Sequence, residues 1–190
     1  MNRTYELKRR AERMAETRSR IVEATVELHT SIGPARTTIS DIAELAGVQR
    51  HTVYAHFRDQ RELFGACSAH WAALHPFPDP AGWLAVDEPE RRLRTALQAI
   101  YDWYEQVEHD VAIFERDAKV HDVTAEFVAR RKQRTLALRD DLVKGRPRRK
   151  LVRAAIGHAL EFETWRSLVR DQRLTQGQAV DAMLSFARSV

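Results

Sequence analysis

Residues 37 to 57 read TTISDIAELAGVQRHTVYAHF, a stretch that predicts two short helices separated by one tight turn. Thr38 is suited to cap the first helix, because Asp41 follows it at the spacing of a capping box. Apolar residues then recur at the helical spacings i, i+3, i+4 and i+7. Gly47 ends this helix, since glycine adopts the positive φ of a helix C-terminal turn at little cost. The chain is therefore expected to reverse at Gly47 and begin a second helix.

The second helix of this hairpin has a buried side and an outer face of unusual composition. Val48, Val53 and Phe57 are spaced to pack inward. The outer face carries hydrogen-bonding and cationic groups but no carboxylate; its residues are Gln49, Arg50, His51, Thr52, Tyr54 and His56. Such a face suits an element that enters the field of a phosphate backbone. The pattern indicates a helix-turn-helix, whose second helix lies in the DNA major groove, but spacing alone also leaves a purely structural hairpin open.

The hairpin resembles the TetR family of bacterial transcriptional regulators. The family run is close to T-T-x-x-x-I-A-x-x-A-G-V-x-x-x-T-x-Y-x-x-F, and the chain matches it at Thr37, Thr38, Ile42, Ala43, Ala46, Gly47, Val48, Thr52, Tyr54 and Phe57. We predict that DNA is contacted by Thr38, Gln49, Arg50, His51, Thr52, Tyr54 and His56. The resemblance implies that Tyr54 and His56 chiefly meet phosphates. Gln49 departs from the family, which often has serine or threonine there, and glutamine is a poorer helix cap.

The resemblance covers the first third of the chain closely, and the remainder is similar to the family in length and all-helical character. The predicted fold is all-α, with about nine helices in total. An N-terminal three-helix helix-turn-helix DNA-binding domain is expected at residues 1–58, with its core at about 11–58. A larger effector-binding and dimerisation domain is expected at residues 59–190.

The composition is that of an ordinary globular protein, with 190 residues of which 44% are hydrophobic and 31% are charged. The net charge of +4 permits nucleic-acid binding without requiring it. Residues 1–20 hold seven bases and three acids, so their local excess equals the net charge of the whole chain. Two interpretations of this segment stay open: a frayed, solvated terminus, and a basic arm that adds non-specific attraction to phosphates.

Several classes of protein are disfavoured by the sequence. It has no signal-peptide pattern and no run of about 18 apolar residues, so we expect no membrane partner and a cytoplasmic location. Cys67 is the single cysteine, which excludes an internal disulfide and a thiolate-rich metal site. Common catalytic and phosphate-binding motifs are missing, and glycine is scarce. The expectation is a protein without enzymatic activity, catalytic residues, cofactor or metal.

Helical patterns fill the second part of the chain. Prolines between His75 and Glu88 predict a loop, in which Trp83 either anchors the loop on the core or covers the mouth of a pocket. One long helix from Pro89 is expected to end near Val107. A shorter segment follows from Val111 to Ala118, and then a helix from about Val120 to Lys144.

The last forty residues predict two further helices. The first, from Leu151 to Val169, has an apolar arc so wide that it suggests burial on two fronts. The resembled family dimerises through its two last helices, and this implies a homodimer here. The predicted interface residues are Val152, Ile156, Leu160, Val180, Met183, Leu184 and Ala187.

Arg131 interrupts an otherwise largely apolar stripe of the helix from Val120, where an arginine is costly to bury without a partner. Its side chain could reach the surface, pair with Glu161 or Glu163, or point into a pocket and hold the acidic group of an amphipathic effector. The predicted pocket residues are Trp103, Tyr104, Phe114, Phe127, Arg131, His158, Phe162 and Trp165.

Two functional hypotheses follow. The first is a ligand-responsive homodimeric regulator, in the resembled family most often a repressor, that binds a near-palindromic operator in double-stranded DNA and is released by a small amphipathic effector. The alternative is an all-helical small-molecule-binding protein or enzyme whose helix-turn-helix is only structural.

Overall fold

The computed structural model describes residues 3–146 and 150–190, and these residues form ten α-helices without a β-strand. The helices are α1 (Arg3–Ser31), α2 (Ile39–Leu45), α3 (Arg50–His56), α4 (Gln60–Leu74), α5 (Ala81–Leu84), α6 (Pro89–Asp117), α7 (Asp122–Leu142), α8 (Lys150–Ala159), α9 (Phe162–Arg166) and α10 (Gln176–Ser189). A π-helical turn at Ser167–Asp171 continues α9. The all-α prediction is confirmed, with ten helices in place of about nine.

Two of the predicted helix bounds differ from those in the structure. Helix α6 continues through the expected break before Val111, because no glycine or proline interrupts it and Val111 remains on the buried side. The predicted helix from Leu151 to Val169 is instead broken after Ala159. At this break the hydroxyl of Tyr101 donates to the carbonyl of Ala159 at 2.9 Å, and Tyr104 donates to that of Leu160 at 2.8 Å. The tyrosines thus satisfy carbonyls that a continuous helix would have bonded internally.

The loop predicted between His75 and Glu88 contains the short helix α5. Trp83 lies on α5 and is among the most fully buried side chains of the protein. Burial of an indole ring contributes a large apolar area, so Trp83 fixes the loop against the core. This is the anchoring role, one of the two that the sequence left open.

The described chain divides into two compact units. Unit 1 comprises the residues up to Pro76 together with His109–Glu126, and unit 2 comprises Phe77–Glu108 together with Phe127–Val190. The division passes through α6 and α7, so each of these helices contributes residues to both units. The expected functional boundary near residue 58 stays a prediction.

The core of unit 1 is formed where α1, α2, α3 and α4 meet. Its buried residues are Ile21, Val22, Ala24, Ile42, Ala43, Ala46, Val53, Phe57, Leu63 and Cys67. The buried hydroxyl of Thr25 donates to the carbonyl of Ile21 at 2.7 Å, so a polar group inside this core is satisfied locally. None of the described helices is both long and apolar enough to cross a membrane.

The corner between α1 and α2 is tied to the end of α6 within unit 1. The backbone N–H of Ala35 donates to Asp117 Oδ2 at 2.9 Å, and Arg116 donates to the carbonyl of Ile32 at 3.0 Å. Burial works to raise the pKa of Asp117, but hydrogen bonds from Arg116 and Ala35 outweigh it and leave that pKa lowered. Gly33 has a φ of +99°, and a Cβ there would collide with the Asp117 carboxylate. The corner therefore requires both the glycine and the carboxylate.

Candidate DNA-binding surface and candidate effector site

The first helix of the hairpin has a well-defined start. The backbone N–H of Asp41 donates to Thr38 Oγ1 at 3.2 Å, and the N–H of Thr38 donates to Asp41 Oδ2 at 2.9 Å. These bonds form the predicted capping box. The hydrogen bonds from the Thr38 side chain and backbone lower the pKa of Asp41, so the carboxylate remains charged and keeps the cap in place at neutral pH.

The turn between α2 and α3 is held from two sides. Gly47 adopts a φ of +62°, which is the left-handed conformation expected for it. The N–H of Val48 donates to the carbonyl of Ala43 at 2.9 Å. From α1, Arg20 Nη1 donates to the carbonyl of Ala46 at 3.2 Å, a favourable placement for a cation at a helix C-terminus. The direction in which α3 leaves the turn is fixed by these bonds.

Helix α3 buries Val53 and exposes its polar face. Gln49, Arg50, His51 and Tyr54 are exposed, with Tyr54 at 53%, whereas Thr52 and His56 are half-buried. The helix contains no carboxylate. Gln49 makes no side-chain cap bond, in agreement with the expectation that it is a poorer cap than serine or threonine. Four of the six outer-face residues are therefore fully accessible to solvent, and Thr52 and His56 are partly accessible.

Arg18 is a structural residue that sequence reasoning identifies only as part of the basic segment. Its guanidinium lies 4.0 Å from the centroid of the Phe57 ring and within 3.8 Å of a Glu62 carboxylate oxygen. A cation over an aromatic face adds stabilisation beyond apolar burial. Arg18 thus supports the junction at which α3 ends and α4 begins. Its partners are distant in sequence, so no local pattern could have identified them.

An open groove of about 470 Å³ lies between the first half of α1 and helix α3. Its lining residues are Glu6, Arg9, Arg10, Arg13, Met14, Thr17, Thr52 and His56. Two of the predicted DNA-contacting residues therefore face a groove to which α1 contributes three guanidinium groups. The first two residues of the basic segment lie outside the described residues, and the rest of it is helical.

Four of the eight predicted pocket residues form one aromatic cluster in unit 2. Tyr104 lies 5.5 Å from Trp103, 5.3 Å from Phe162 and 5.8 Å from Trp165, measured between ring centroids. All four side chains are buried. The indole N–H of Trp165 donates to Gln176 Oε1 at 2.9 Å. The structure thus brings these four residues together as a packed and hydrogen-bonded group.

The other four predicted pocket residues have different environments. Phe127 and Arg131 are half-buried on α7, and His158 is exposed on α8. Phe114 belongs to unit 1, where it packs edge-on against Trp71 at 5.7 Å. The Trp71 indole in turn donates to Asp110 Oδ2 at 2.7 Å. A role in effector binding stays a prediction for all eight residues.

The predicted dimer residues are mostly used inside the single chain. Val152, Ile156, Leu160, Val180, Leu184 and Ala187 are buried, and Met183 is half-buried. The wide apolar arc of residues 151–169 is therefore largely filled by packing within the chain. On α8 and α10, large apolar side chains remain exposed at Leu151, with 62%, and at Phe186, with 42%.

His29 and Cys67 form a buried pair in unit 1. Cys67 Sγ lies 3.4 Å from His29 Nδ1, and the Phe64 ring lies 5.0 Å from the imidazole. Burial lowers the pKa of His29 to about 4 and raises the pKa of Cys67 to about 12, so both groups are neutral at pH 7. The pair is thus a packed core contact. Across residues 3–146 and 150–190, no group of three histidine, cysteine or acidic side chains is placed to hold a metal ion.

A capped helix, a glycine turn and an exposed second helix without a carboxylate define the helix-turn-helix class. A sequence model of the bacterial regulatory proteins of the tetR family matches residues 21–67. The HTH-type transcriptional regulator TtgR of Pseudomonas putida is 47% identical over 60 residues, which are 32% of this chain and 29% of TtgR. The match therefore spans less than a third of that relative.

The fold comparison extends over most of the chain. A TetR-like transcriptional regulator from Rhodococcus sp. RHA1 is similar with a TM-score of 0.61 at 18% identity, covering 90% of this chain and 93% of that one. The fatty acid degradation regulator FadR from Bacillus halodurans is similar with a TM-score of 0.61 at 16% identity, covering 90% and 94%. Residues 21–67 therefore match the tetR family of bacterial regulatory proteins, and the fold over most of the chain is similar to that of TetR-like regulators.

Proposed function

We propose that the protein is a dimeric transcriptional regulator that binds operator DNA through α3 and changes its DNA affinity when it binds a small amphipathic effector. The outer face of α3 is the observation that carries this proposal. Four of its six residues are exposed, it lacks carboxylates, and it is held by the capping box of α2, the Gly47 turn and the core of unit 1. A helix face that carries only neutral and cationic side chains can enter the major groove without repulsion from phosphates.

Different residues of this face have different proposed roles. Gln49 and Arg50, at the start of α3, would read base edges, because arginine and glutamine form two-bonded contacts with guanine and adenine. Tyr54 and His56, with Thr52, would contact phosphates and set the orientation. His51 is exposed beside Arg50, within reach of base edges or of phosphates. The Thr38 hydroxyl is committed to its bonds with Asp41, so its proposed role is to position α2.

Selection of bound fragments from random DNA with the full chain is the direct test. The expected result is one preferred, near-palindromic site whose half-sites are about one helical turn apart. An Arg50→Ala, Tyr54→Phe double variant should lose most of this binding. Arg134→Ala removes a similar charge at an exposed position of unit 2 and serves as the control. If the double variant bound the selected site as well as the parent, the assignment of α3 would be wrong.

Dimerisation is proposed because one short recognition helix contacts too few base pairs for useful specificity. Helices α8 and α10 expose Leu151 and Phe186, and the ring of His158 lies 6.4 Å from that of Phe186. We place the partner contact on this exposed face, since most of the residues first predicted for it are buried. Sedimentation of a Leu151→Asp, Phe186→Asp variant should show a shift from dimer to monomer. A wild-type protein that is monomeric at micromolar concentration and still binds its site tightly would contradict the proposal.

The effector is proposed to bind beside the aromatic cluster of Trp103, Tyr104, Phe162 and Trp165. Arg131, half-buried on α7, would hold its acidic group. Binding changes DNA affinity only if the effector prefers one conformation, typically by about 1 to 3 kcal/mol. Arg131→Met should keep DNA binding and dimerisation while abolishing the response to acidic effectors. Screening amphipathic acids for release of the selected DNA provides the measurement, and an unchanged response in the variant would exclude this role.

A further inference from the structure

The segment from Tyr5 to Glu16, near the start of α1, has no buried side. Every side chain of this segment is exposed, and the first fully buried residue of the helix is Ile21. Exposed helices of this length are marginally stable in water without packing. The ion pair of Lys8 with Glu12 spans 4.0 Å between two highly exposed groups, and pairs of this kind contribute little. This helical extension therefore gains almost nothing from the rest of unit 1.

The extension also concentrates positive charge. Lys8, Arg9 and Arg10 are consecutive, and Arg13 follows one helical turn after Arg9 and Arg10. An anion bound beside these residues would relieve their mutual repulsion.

The groove next to the extension has two walls of matching chemistry. Arg9, Arg10 and Arg13 lie on the α1 side. Thr52 and His56, one helical turn apart, lie on the α3 side. Glu6 is the carboxylate among the lining residues, so the guanidinium groups leave a positive excess. The groove is open and has a volume of about 470 Å³, so a short length of nucleic-acid backbone can lie along it.

We propose that this groove is a phosphate clamp for one strand of duplex DNA. The backbone at the edge of the site read by α3 would lie in it, with Thr52 and His56 on one side and the three arginines on the other. Met14 would lie against the sugars, since its side chain is exposed within the groove. The inference rests on the proposed function, because it takes α3 to be bound to DNA. It adds a second, sequence-independent contact that α3 alone does not make.

Salt dependence of binding measures the clamp directly. Each phosphate neutralised by a protein cation contributes about −0.9 to the slope of log K against log salt concentration. An Arg9→Gln, Arg10→Gln, Arg13→Gln variant should therefore have a slope shallower by about 2 to 3 on a short mixed-sequence duplex and on the selected site. The ratio of specific to non-specific affinity should stay within about twofold, because phosphate contacts carry no base information.

Two control variants separate the clamp from a general effect of charge. Arg91→Gln, Arg134→Gln, Arg173→Gln removes the same charge from exposed positions of unit 2 and should leave the slope unchanged. Glu6→Gln removes the groove carboxylate and should tighten binding to both duplexes. Circular dichroism should show folded protein for all of these variants, since each changed side chain is exposed.

Neutral methylphosphonates placed singly along the selected duplex locate the contact. Replacing a clamped phosphate should weaken the parent protein but have little further effect on the triple arginine variant. The clamp is wrong if the salt slope of the triple arginine variant equals that of the parent. It is also wrong if each methylphosphonate weakens the triple variant and the parent protein to the same extent. Failure of the parent protein to bind either duplex would instead overturn the proposed function. Parent binding that is lost in the α3 double variant but unaffected by the arginine changes would overturn only the clamp.

Discussion

Helices α3 and α8 are both short, but they use their side chains in opposite ways. Of the seven residues of α3, Val53 is buried and the other six are exposed or half-buried. Of the ten residues of α8, five are buried, among them Ile156 at 0% exposure. Substitutions on α3 should therefore change what the protein binds, whereas substitutions at the five buried positions of α8 should change whether unit 2 folds.

The largest effect is expected for a charge placed in the core of unit 2. Ile156→Asp would bury a carboxylate with no partner, which typically costs about 3 to 5 kcal/mol of unfolding free energy. Urea unfolding followed by circular dichroism measures this loss. Leu151→Asp, on the exposed side of the same helix, should cost less than about 1 kcal/mol. If both variants lost the same free energy of unfolding, the proposed difference between the buried and exposed faces of α8 would be wrong.

The break between α8 and α9 is a feature that the sequence did not predict, because it depends on long-range contacts. The capping signal at Thr38 and the turn at Gly47 are local, so they could be recognised directly. The hydrogen bonds of Tyr101 and Tyr104 to the break join residues more than fifty positions apart. The apolar periodicity of residues 151–169 carries no sign of these two hydrogen bonds. The pattern therefore predicted one continuous helix.

The candidate sites were predictable to different degrees for the same reason. The outer face of α3 is a property of consecutive residues, and helical geometry is enough to collect them. The groove beside it depends on where the first half of α1 lies relative to α3, and no local sequence pattern reports that placement. Likewise, the wide apolar arc of residues 151–169 indicated that two sides of the helix are buried. It could not show whether each side packs inside the chain or against a partner.

Acid should destabilise unit 1 through His29. Its pKa is about 4 in the folded protein, lowered mainly by burial, against a usual value of 6.5. The unfolded chain therefore binds the proton more readily between these values, so stability is full above pH 6.5 and falls as the pH drops to 4. The loss amounts to roughly 3 kcal/mol.

Unfolding free energies measured from pH 7 to pH 4 test this assignment. Carboxylates with lowered pKa, such as Asp41 and Asp117, also lose stability in acid. A His29→Leu variant keeps those carboxylates, so the difference in pH dependence between variant and parent isolates the histidine. Parallel pH profiles would show that His29 titrates normally in the folded state.

Single substitutions on α3 should change DNA affinity by about 1 to 3 kcal/mol for each good base contact that they remove. Arg50→Ala is expected to change which base is preferred, whereas Tyr54→Phe should weaken all sequences about equally. Their unfolding free energies should stay within about 0.5 kcal/mol of the parent, because both side chains are exposed. Affinities for the selected site and for single-base variants of it provide the measurement. A loss of stability that matched the loss of affinity would mean that α3 acts through folding.

The smallest effect concerns the two caps of the hairpin. Thr38 caps α2 with a full capping box, whereas Gln49 begins α3 without a side-chain cap bond. Gln49→Ser should therefore stabilise unit 1 by about 0.5 to 1 kcal/mol, since serine accepts a hydrogen bond from the first turn. Thr38→Ala, as the matched opposite change, should cost a similar amount. If Gln49→Ser raises the unfolding free energy but lowers affinity for the selected site, the uncapped start of α3 serves DNA readout at a small cost in stability. A serine variant that is less stable than the parent would show that Gln49 makes a stabilising contact of another kind.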